Sequence, residues 1–179
     1  MTIPALQVRE MQHSDAALLI QYWLNADAAY LHTMGVDVKK MLTAPKWTTL
    51  LIEALTQPYS EKKACYIIWL LNGRPIGHCN VNKIIFGEEA YMHLHIWYAH
   101  ERKLGLGTRF IKLSLPYFID HLQLKKICCQ PYALNVSPNK TLEKAGFTFI
   151  KHFITTPGML NFEQPVNHWE VKRPGLLKS

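Results

Sequence analysis

The hydrophobic pattern predicts a central antiparallel meander of three strands. Residues 64–71 form a continuous apolar run, which is typical of a strand that is buried on both faces. Asn72-Gly73 is a hairpin signal, so residues 75–85 should return antiparallel to the first strand. Gly87-Glu88 predicts a second turn, and residues 89–98 then complete the meander.

The same pattern predicts helices and strands on both sides of the meander. Residues 6–11 alternate as a first strand, and Ser14 is a suitable N-cap for an amphipathic helix that reaches residue 25. Residues 27–46 read as irregular, and a helix follows until Pro58 ends it. After the meander the pattern predicts a helix at 106–122, a strand at 126–130, a short helix opened by Ser137 and closed by Gly146, and strands at 147–155 and 166–172.

This order of elements predicts one α/β (α+β) domain over residues 1–179, with a loose tail at 173–179 and a mixed sheet. Apolar residues make up 49% of the chain and charged residues 18%, as in a globular protein. The first residues lack the apolar core of a signal peptide, and no apolar run is long enough for a membrane span. We therefore expect a cytoplasmic protein without a membrane partner.

The charge balance favours an anionic partner. The formal net charge is +7 and the pI is about 9.2. The basic residues are scattered, which disfavours nucleic acid. None of the four cysteines stands in a Cys-x-x-Cys pair, so we expect reduced, mostly buried thiols and no metal.

One stretch carries the strongest chemical signal. Residues 100–110 read His-Glu-Arg-Lys-Leu-Gly-Leu-Gly-Thr-Arg-Phe, between an apolar strand and an amphipathic helix. Glycines allow a close approach to the backbone, and the first amides of a helix bind anions, phosphate above all. A tight helix start is the other interpretation. Phe110 replaces the third glycine of a dinucleotide fingerprint, and no Gly-Lys-Ser/Thr follows as in a Walker loop.

A second motif lies downstream. Asn135 precedes a short helix that ends in Leu-Glu-Lys-Ala-Gly-Phe. The order Arg-x-x-Gly-x-Gly, helix, strand, then Asn and Leu-Glu-Lys-Ala-Gly-Phe resembles the GNAT superfamily of N-acetyltransferases, most closely the aminoglycoside and siderophore-type lysine N-acyltransferases. The resemblance implies a sheet of about seven strands that is splayed between strands 4 and 5 and flanked by helices. It also implies acetyl-CoA as the acyl donor, without a metal.

The resemblance implies which residues bind the coenzyme. The end of the fourth strand would offer backbone N–H groups to the pantetheine arm, and the glycine loop would hold the diphosphate. Asn135 would contact the coenzyme beyond the splayed strand, with Asn139 as a weaker candidate. The full set of expected coenzyme-binding residues is Ile96, Trp97, Tyr98, Arg102, Lys103, Leu104, Gly105, Leu106, Gly107, Thr108, Asn135 and Asn139.

The catalytic residues are harder to predict. Alternation places four residues of the fourth strand on one face: Tyr91, His93, His95 and Trp97. His93 is our candidate for the general base, since histidine titrates near neutrality and His-Leu-x-Ile resembles the siderophore-type relatives. A packed core histidine and a zinc ligand are the alternatives. Many relatives have a tyrosine in the short helix that protonates the departing thiolate, and Leu142 stands at that place here. Ser137 is the nearest hydroxyl and our candidate for this role, although Ser137 could also be the N-cap of the helix.

The sequence therefore predicts an acetyl-CoA-dependent N-acetyltransferase that acts on an amine or hydroxylamine of a small molecule, by direct attack in a ternary complex. Early aromatic residues are expected to line the acceptor pocket: Tyr22, Trp23, Tyr30, His32 and Trp47. No carboxylate stands after the fifth strand, which weighs against an aminoglycoside. A protein N-terminal or lysine acetyltransferase, a non-catalytic acyl-CoA-binding module and a homodimer remain open.

Overall fold

The computed structural model describes residues 4–102 and 104–173. In chain order the strands and helices are β1 (Leu6–Glu10), α1 (Ala16–Leu24), α2 (Ala28–Thr33), α3 (Ala44–Thr56), β2 (Ala64–Leu71), β3 (Arg74–Ile85), β4 (Glu89–Ile96), α4 (Leu106–His121), β5 (Lys126–Cys129), α5 (Val136–Ala145), β6 (Thr148–Thr155) and β7 (Gln164–Lys172). The strands form one sheet in the order β1-β2-β3-β4-β5-β7-β6. Among the strands of the described residues, only β4 and β5 are parallel neighbours. The predicted single α/β (α+β) domain with a mostly antiparallel sheet is confirmed.

The sheet opens between β4 and β5. These strands are paired only where residues 89–91 lie beside residues 126–128. β4 then continues to Ile96, whereas β5 ends at Cys129. The gap between residues 93–96 and residues 130–132 is called the fork below. It is the splay that was predicted between strands 4 and 5.

Helices cover both faces of the sheet, and β2 shows how the sequence specifies this. Ile67 and Trp69 point into a core with α4 and α5. Ile68 and Leu70 point into a second core with α1 and α3. All four are at most 9% exposed, so the uninterrupted apolar run of β2 reflects burial on both faces.

Two predictions about the N-terminal half were wrong. The stretch 27–46 is not irregular, because it contains α2 and the start of α3. Asp27 begins α2, and its carboxylate accepts hydrogen bonds from the amides of Ala29 and Tyr30. Ser14 is not an N-cap either, because a 3-10 turn precedes α1 and the Asp15 carboxylate accepts from the Gln12 amide at 2.7 Å.

The C-terminal half differs from prediction mainly at α5. This helix begins at Val136, so Ser137 lies inside its first turn and is not the N-cap. Gly146 ends it in the left-handed conformation, as expected. The predicted loose tail lies outside the described residues except for Arg173, whose amide donates to the Lys125 carbonyl. None of the described helices has the length and apolar character needed to span a bilayer.

Candidate functional site

The glycine loop forms an open turn at the start of α4. Gly105 has a φ of 73°, a left-handed conformation that favours glycine, and a Cβ there would meet nothing within 4 Å. No side chain of a described residue caps the helix, and the first amides, from Leu106 to Thr108, lack a partner within it. The dipole of this 16-residue helix adds partial positive charge at the same place. The turn therefore has the geometry of an anion site.

The charged residues of the loop are arranged differently from expectation. Arg102 turns inward, where Nε donates to the Ile96 carbonyl at 3.0 Å and Nη2 to the Trp97 carbonyl at 3.1 Å. Its guanidinium also lies 4.0 Å from the centre of the Tyr30 ring. The Arg102 side chain thus anchors the end of β4 and is not free to face the open turn. Lys103 lies outside the described residues, and Leu104 is exposed.

The edge of β4 supplies backbone donors to the fork. The Trp97 amide donates to the Ile76 carbonyl at 2.8 Å and is therefore not a free donor, although it was expected to be one. Successive amides of a strand point in opposite directions, so those of Leu94 and Ile96 point into the fork. Sequence reasoning named Ile96 and missed Leu94, which strand alternation could have found. Tyr98 follows the strand end, with its ring 5.0 Å from the Arg74 guanidinium.

Two asparagines lie across the fork, and only one has a free side chain. Asn139 is fully engaged: its Nδ2 donates to the carbonyls of Tyr132 and Asn135, and its Oδ1 accepts from Asn167 and Trp169. It joins the start of α5 to β7 and offers nothing to a ligand. The Asn135 side chain makes no hydrogen bond to a described residue and lines a cavity of about 100 Å³ in the fork. Ser137 is exposed nearby.

A cavity of about 300 Å³ lies on the opposite face of the sheet from α4 and α5, and it is called the larger cavity below in contrast to the one in the fork. Its floor consists of histidines and asparagines of β3 and β4, and its walls include aromatic rings: His78, Asn80, Asn82, His93, His95, Trp23, Trp47 and Tyr66. Of the five early aromatic residues expected here, only Trp23 and Trp47 line it. Tyr22 and Tyr30 line a third cavity, of about 490 Å³, beside Arg102, and His32 is stacked on Phe162.

His93 lies on the floor of this cavity and also lines the cavity in the fork. Its Nε2 is 3.2 Å from Asn82 Oδ1. An amide oxygen only accepts, so Nε2 carries the proton and Nδ1 keeps a lone pair. Burial, and then the charge of Lys83, lower the pKa of His93 to about 4. His93 is therefore neutral at pH 7 and can accept a hydrogen bond or a proton at Nδ1.

Two further histidines pack beside His93. The Trp97 indole donates to His78 Nδ1 at 2.8 Å, and the rings of His78 and His95 are stacked with centroids 4.9 Å apart. Burial lowers the pKa of His78 to about 3 and that of His95 well below its usual value. The sequence did not identify His78, since nothing in β3 alone shows that it faces His93 and His95. All three imidazoles are neutral at pH 7.

Other side chains near the site either lack a reactive group or are already hydrogen-bonded within the protein. Leu142 is fully buried in the α4–α5 core and supplies no hydroxyl. Among the described residues, Cys128, His168 and Glu170 bring possible metal-ligand atoms within 4.8 Å of one another. However, Glu170 Oε1 already accepts from His168 Nε2 and Lys126 Nζ, both at 3.0 Å. This cluster is a closed hydrogen-bond network, and His93 is not part of it.

Comparison with known proteins agrees with this geometry. Residues 5–148 match the family described as acetyltransferase (GNAT) domain. No curated protein matches the chain. Solved structures with a similar fold include aminoglycoside acetyltransferase AAC(6')-Ib in complex with coenzyme A and kanamycin (17% identity, 94% of this chain and 95% of that chain, TM-score 0.72). A second is spermidine N-acetyltransferase from Vibrio cholerae in complex with CoA and spermine (15% identity, 93% of this chain and 95% of that chain, TM-score 0.75). A third is the ribosomal L7/L12 alpha-N-protein acetyltransferase RimL in complex with coenzyme A (13% identity, 93% of each chain, TM-score 0.75).

The family match covers most of the chain, so the protein belongs to the GNAT acetyltransferase domain family. By this membership it is an N-acetyltransferase. The structures with 13–17% identity show the shared fold.

The buried histidines predict that stability depends on pH. The pKa of His78 is about 3 in the folded chain and about 6.5 without burial, so the unfolded chain binds more protons between these values. The free energy of unfolding should therefore fall as the pH falls below about 6.5. In urea titrations between pH 6 and pH 4, His78→Gln should reduce this slope by up to about 1.4 kcal/mol per pH unit.

The matched control is His13→Gln, because His13 is an exposed histidine outside the cavity. This variant keeps the buried imidazoles, so the pH dependence that they cause should persist. An unchanged slope in His78→Gln would contradict a buried, neutral His78.

Proposed function

We propose that the protein transfers the acetyl group of acetyl-CoA to the amine or hydroxylamine of a small molecule, by direct attack in a ternary complex. The observation that carries the proposal is the fork. It lies between the open amides at the start of α4 and His93 on the floor of the larger cavity. A thioester held in the fork would meet an amine that enters from that cavity. The known structures of similar fold hold different acceptors, so the acceptor has to be argued from this chain.

The proposed coenzyme site uses the main chain more than side chains. The diphosphate would bind the amides of the turn, contributed by Gly105, Leu106, Gly107 and Thr108. The amides of Leu94 and Ile96 would hold the pantetheine arm and the acetyl carbonyl, where donors stabilise the charge that develops on the oxygen. The Asn135 side chain would contact the arm from across the fork. Arg102 would act indirectly, by fixing the end of β4.

Proton transfer is assigned to His93. The amine attacks in its neutral form, and as the N–C bond forms its nitrogen becomes acidic and must lose a proton to a base or to water. His93 Nδ1 carries the free lone pair, and Asn82 fixes this tautomer through Nε2. A pKa of about 4 makes His93 a weak base, and its effect is to take up the amine proton as the new N–C bond forms. Asn82 is thus a positioning residue.

Direct attack is favoured because the cysteine nearest to the fork is a poor nucleophile. Cys129 is buried, its Sγ donates to the Met92 carbonyl at 3.0 Å, and burial raises its pKa to about 12. The thiolate needed for an acyl-enzyme is therefore almost absent at neutral pH. The departing coenzyme thiolate needs a proton donor, and Leu142 supplies none. Ser137 remains the proposed donor. It is exposed in the first turn of α5, so its hydroxyl can relay a proton from solvent to the thiolate, and this hydroxyl makes no hydrogen bond to a described residue.

Calorimetry tests the amide site with two ligands that share a thiol arm. Coenzyme A should bind at least ten-fold more tightly than pantetheine, which lacks the diphosphate. Gly105→Ala should weaken coenzyme A binding at least ten-fold, since a Cβ disfavours the positive φ that shapes the turn.

Gly73→Ala is a closely matched control. Gly73 has a φ of 78° and is equally open, but it lies in the β2–β3 hairpin. It should carry a similar backbone strain and leave coenzyme A affinity unchanged. Equal affinities for coenzyme A and pantetheine would count against a diphosphate site.

Steady-state kinetics test the base. His93→Gln keeps a polar side chain of similar size and removes the imidazole, so kcat should fall by about 10²–10⁴-fold. The Kd for coenzyme A should change less than two-fold. Turnover is measured as thiol release from acetyl-CoA.

His32→Gln serves as the control, because His32 is exposed and does not line the cavity. Wild-type turnover in His93→Gln would remove His93 from the mechanism. Absence of thiol release with every amine, together with tight coenzyme A binding, would instead indicate a non-catalytic acyl-CoA-binding module.

A further inference from the structure

We infer that the larger cavity binds an acceptor with a single amine on a compact apolar body, and that it disfavours polyamines and aminoglycosides. This inference names the acceptor class of the proposed function and rests on it. The cavity volume of about 300 Å³ is at the lower end of the range for small-molecule sites. A compact molecule fits such a volume.

The charge of the cavity limits how many cationic groups it can take. Among the described residues that line it, Glu53 is the only carboxylate. Its Oε1 already accepts from Lys63 Nζ at 3.3 Å and from Gln57 Nε2 at 3.1 Å. The three histidines of the floor are neutral, as shown above. A second or third ammonium group would thus be buried without a counter-ion, at a cost of several kcal/mol.

The walls of the cavity match an apolar body. Trp23 and Trp47 are stacked, with ring centroids 5.6 Å apart, and both are at least nine-tenths buried. Tyr66 and Leu50 extend this surface. An apolar ring placed against these side chains would gain burial and aromatic contact. One ammonium group can also be accommodated beside a tryptophan face.

An unpartnered polar side chain on the cavity floor points to a ligand. Asn80 is 8% exposed, and its side chain makes no hydrogen bond to a described residue. It lies directly opposite His93 in the β3–β4 pairing, so its oxygen can accept from an amine beside the base. Buried polar groups of this kind normally have partners, and here an acceptor molecule would supply them.

The loop that covers the cavity, called its roof, argues against the terminus of a protein as the acceptor. The β6–β7 loop, residues 156–163, is joined to the segment after α2. The Asp37 amide donates to the Leu160 carbonyl at 2.8 Å, and Asn161 Nδ2 donates to the Gly35 carbonyl at 2.8 Å. Lys83 Nζ ties the same loop to β3 through the Pro157 carbonyl at 2.7 Å. A roof fixed at three places leaves room for a small molecule, whereas a protein segment would have to displace it.

Calorimetry on the coenzyme A-loaded protein tests the inference with four probes: 2-phenylethylamine, propylamine, spermidine and kanamycin. 2-Phenylethylamine should bind at least ten-fold more tightly than each of the others. Asn80→Asp should shift the ratio of the 2-phenylethylamine and spermidine affinities at least ten-fold towards spermidine, because it adds a carboxylate to the floor. Asn72→Asp adds the same charge in the exposed β2–β3 hairpin and should leave the ratio unchanged.

Each contrary result overturns a defined part of the inference. Spermidine or kanamycin binding as tightly as 2-phenylethylamine overturns the charge argument. Propylamine binding equally well overturns the apolar-body argument, and failure of all four probes to bind overturns the acceptor class altogether. Thiol release from acetyl-CoA is recorded separately. Tight 2-phenylethylamine binding without thiol release would contradict the proposed transfer reaction but would still support the proposed class of ligand.

Discussion

The structure depends on an incomplete strand pairing. Backbone N–H and C=O groups of a sheet are almost always paired, yet β4 and β5 are paired over only three positions each before they part. The amides of Leu94 and Ile96 are left facing a gap. Side-chain anchors hold this gap: Arg102 bonds the end of β4, and Asn139 ties the start of α5 to β7. Unpaired donors inside a well-anchored frame form a preorganised binding site.

The fork also separates two environments of opposite character. At the start of α4 the main chain offers partial positive charge to an anion, without help from the Arg102 side chain. On the other face, aromatic rings and neutral imidazoles surround a cavity with one engaged carboxylate. An anionic coenzyme and a largely apolar amine can therefore reach the same few residues of β4 from different directions. His93 lines cavities on both sides of this boundary.

Much of the fold could be predicted, because local pattern determines it. The alternation and turns of residues 64–96 predicted the meander. The fork was expected only because the glycine loop and its downstream motif resemble the GNAT superfamily, whose sheet is splayed at this place. Errors arose where long-range contacts decide the outcome. Arg102 was expected to bind the diphosphate, but its side chain donates to the carbonyls of Ile96 and Trp97 and lies against the ring of Tyr30. Asn139 was expected to contact the coenzyme, but its Oδ1 accepts hydrogen bonds from Asn167 and Trp169 of β7. His78 and Asn80 became visible only once β3 was paired with β4.

The most direct test of this account is backbone amide NMR of the protein with and without coenzyme A. The account predicts that the largest shift changes and the greatest slowing of hydrogen exchange occur at two separate places, residues 105–108 and the amides of Leu94 and Ile96. The Trp97 amide, which is already bonded to Ile76, should gain little further protection. Changes confined to other surfaces, with these amides unaffected, would contradict the claim that the parted strands and the start of α4 form the coenzyme site.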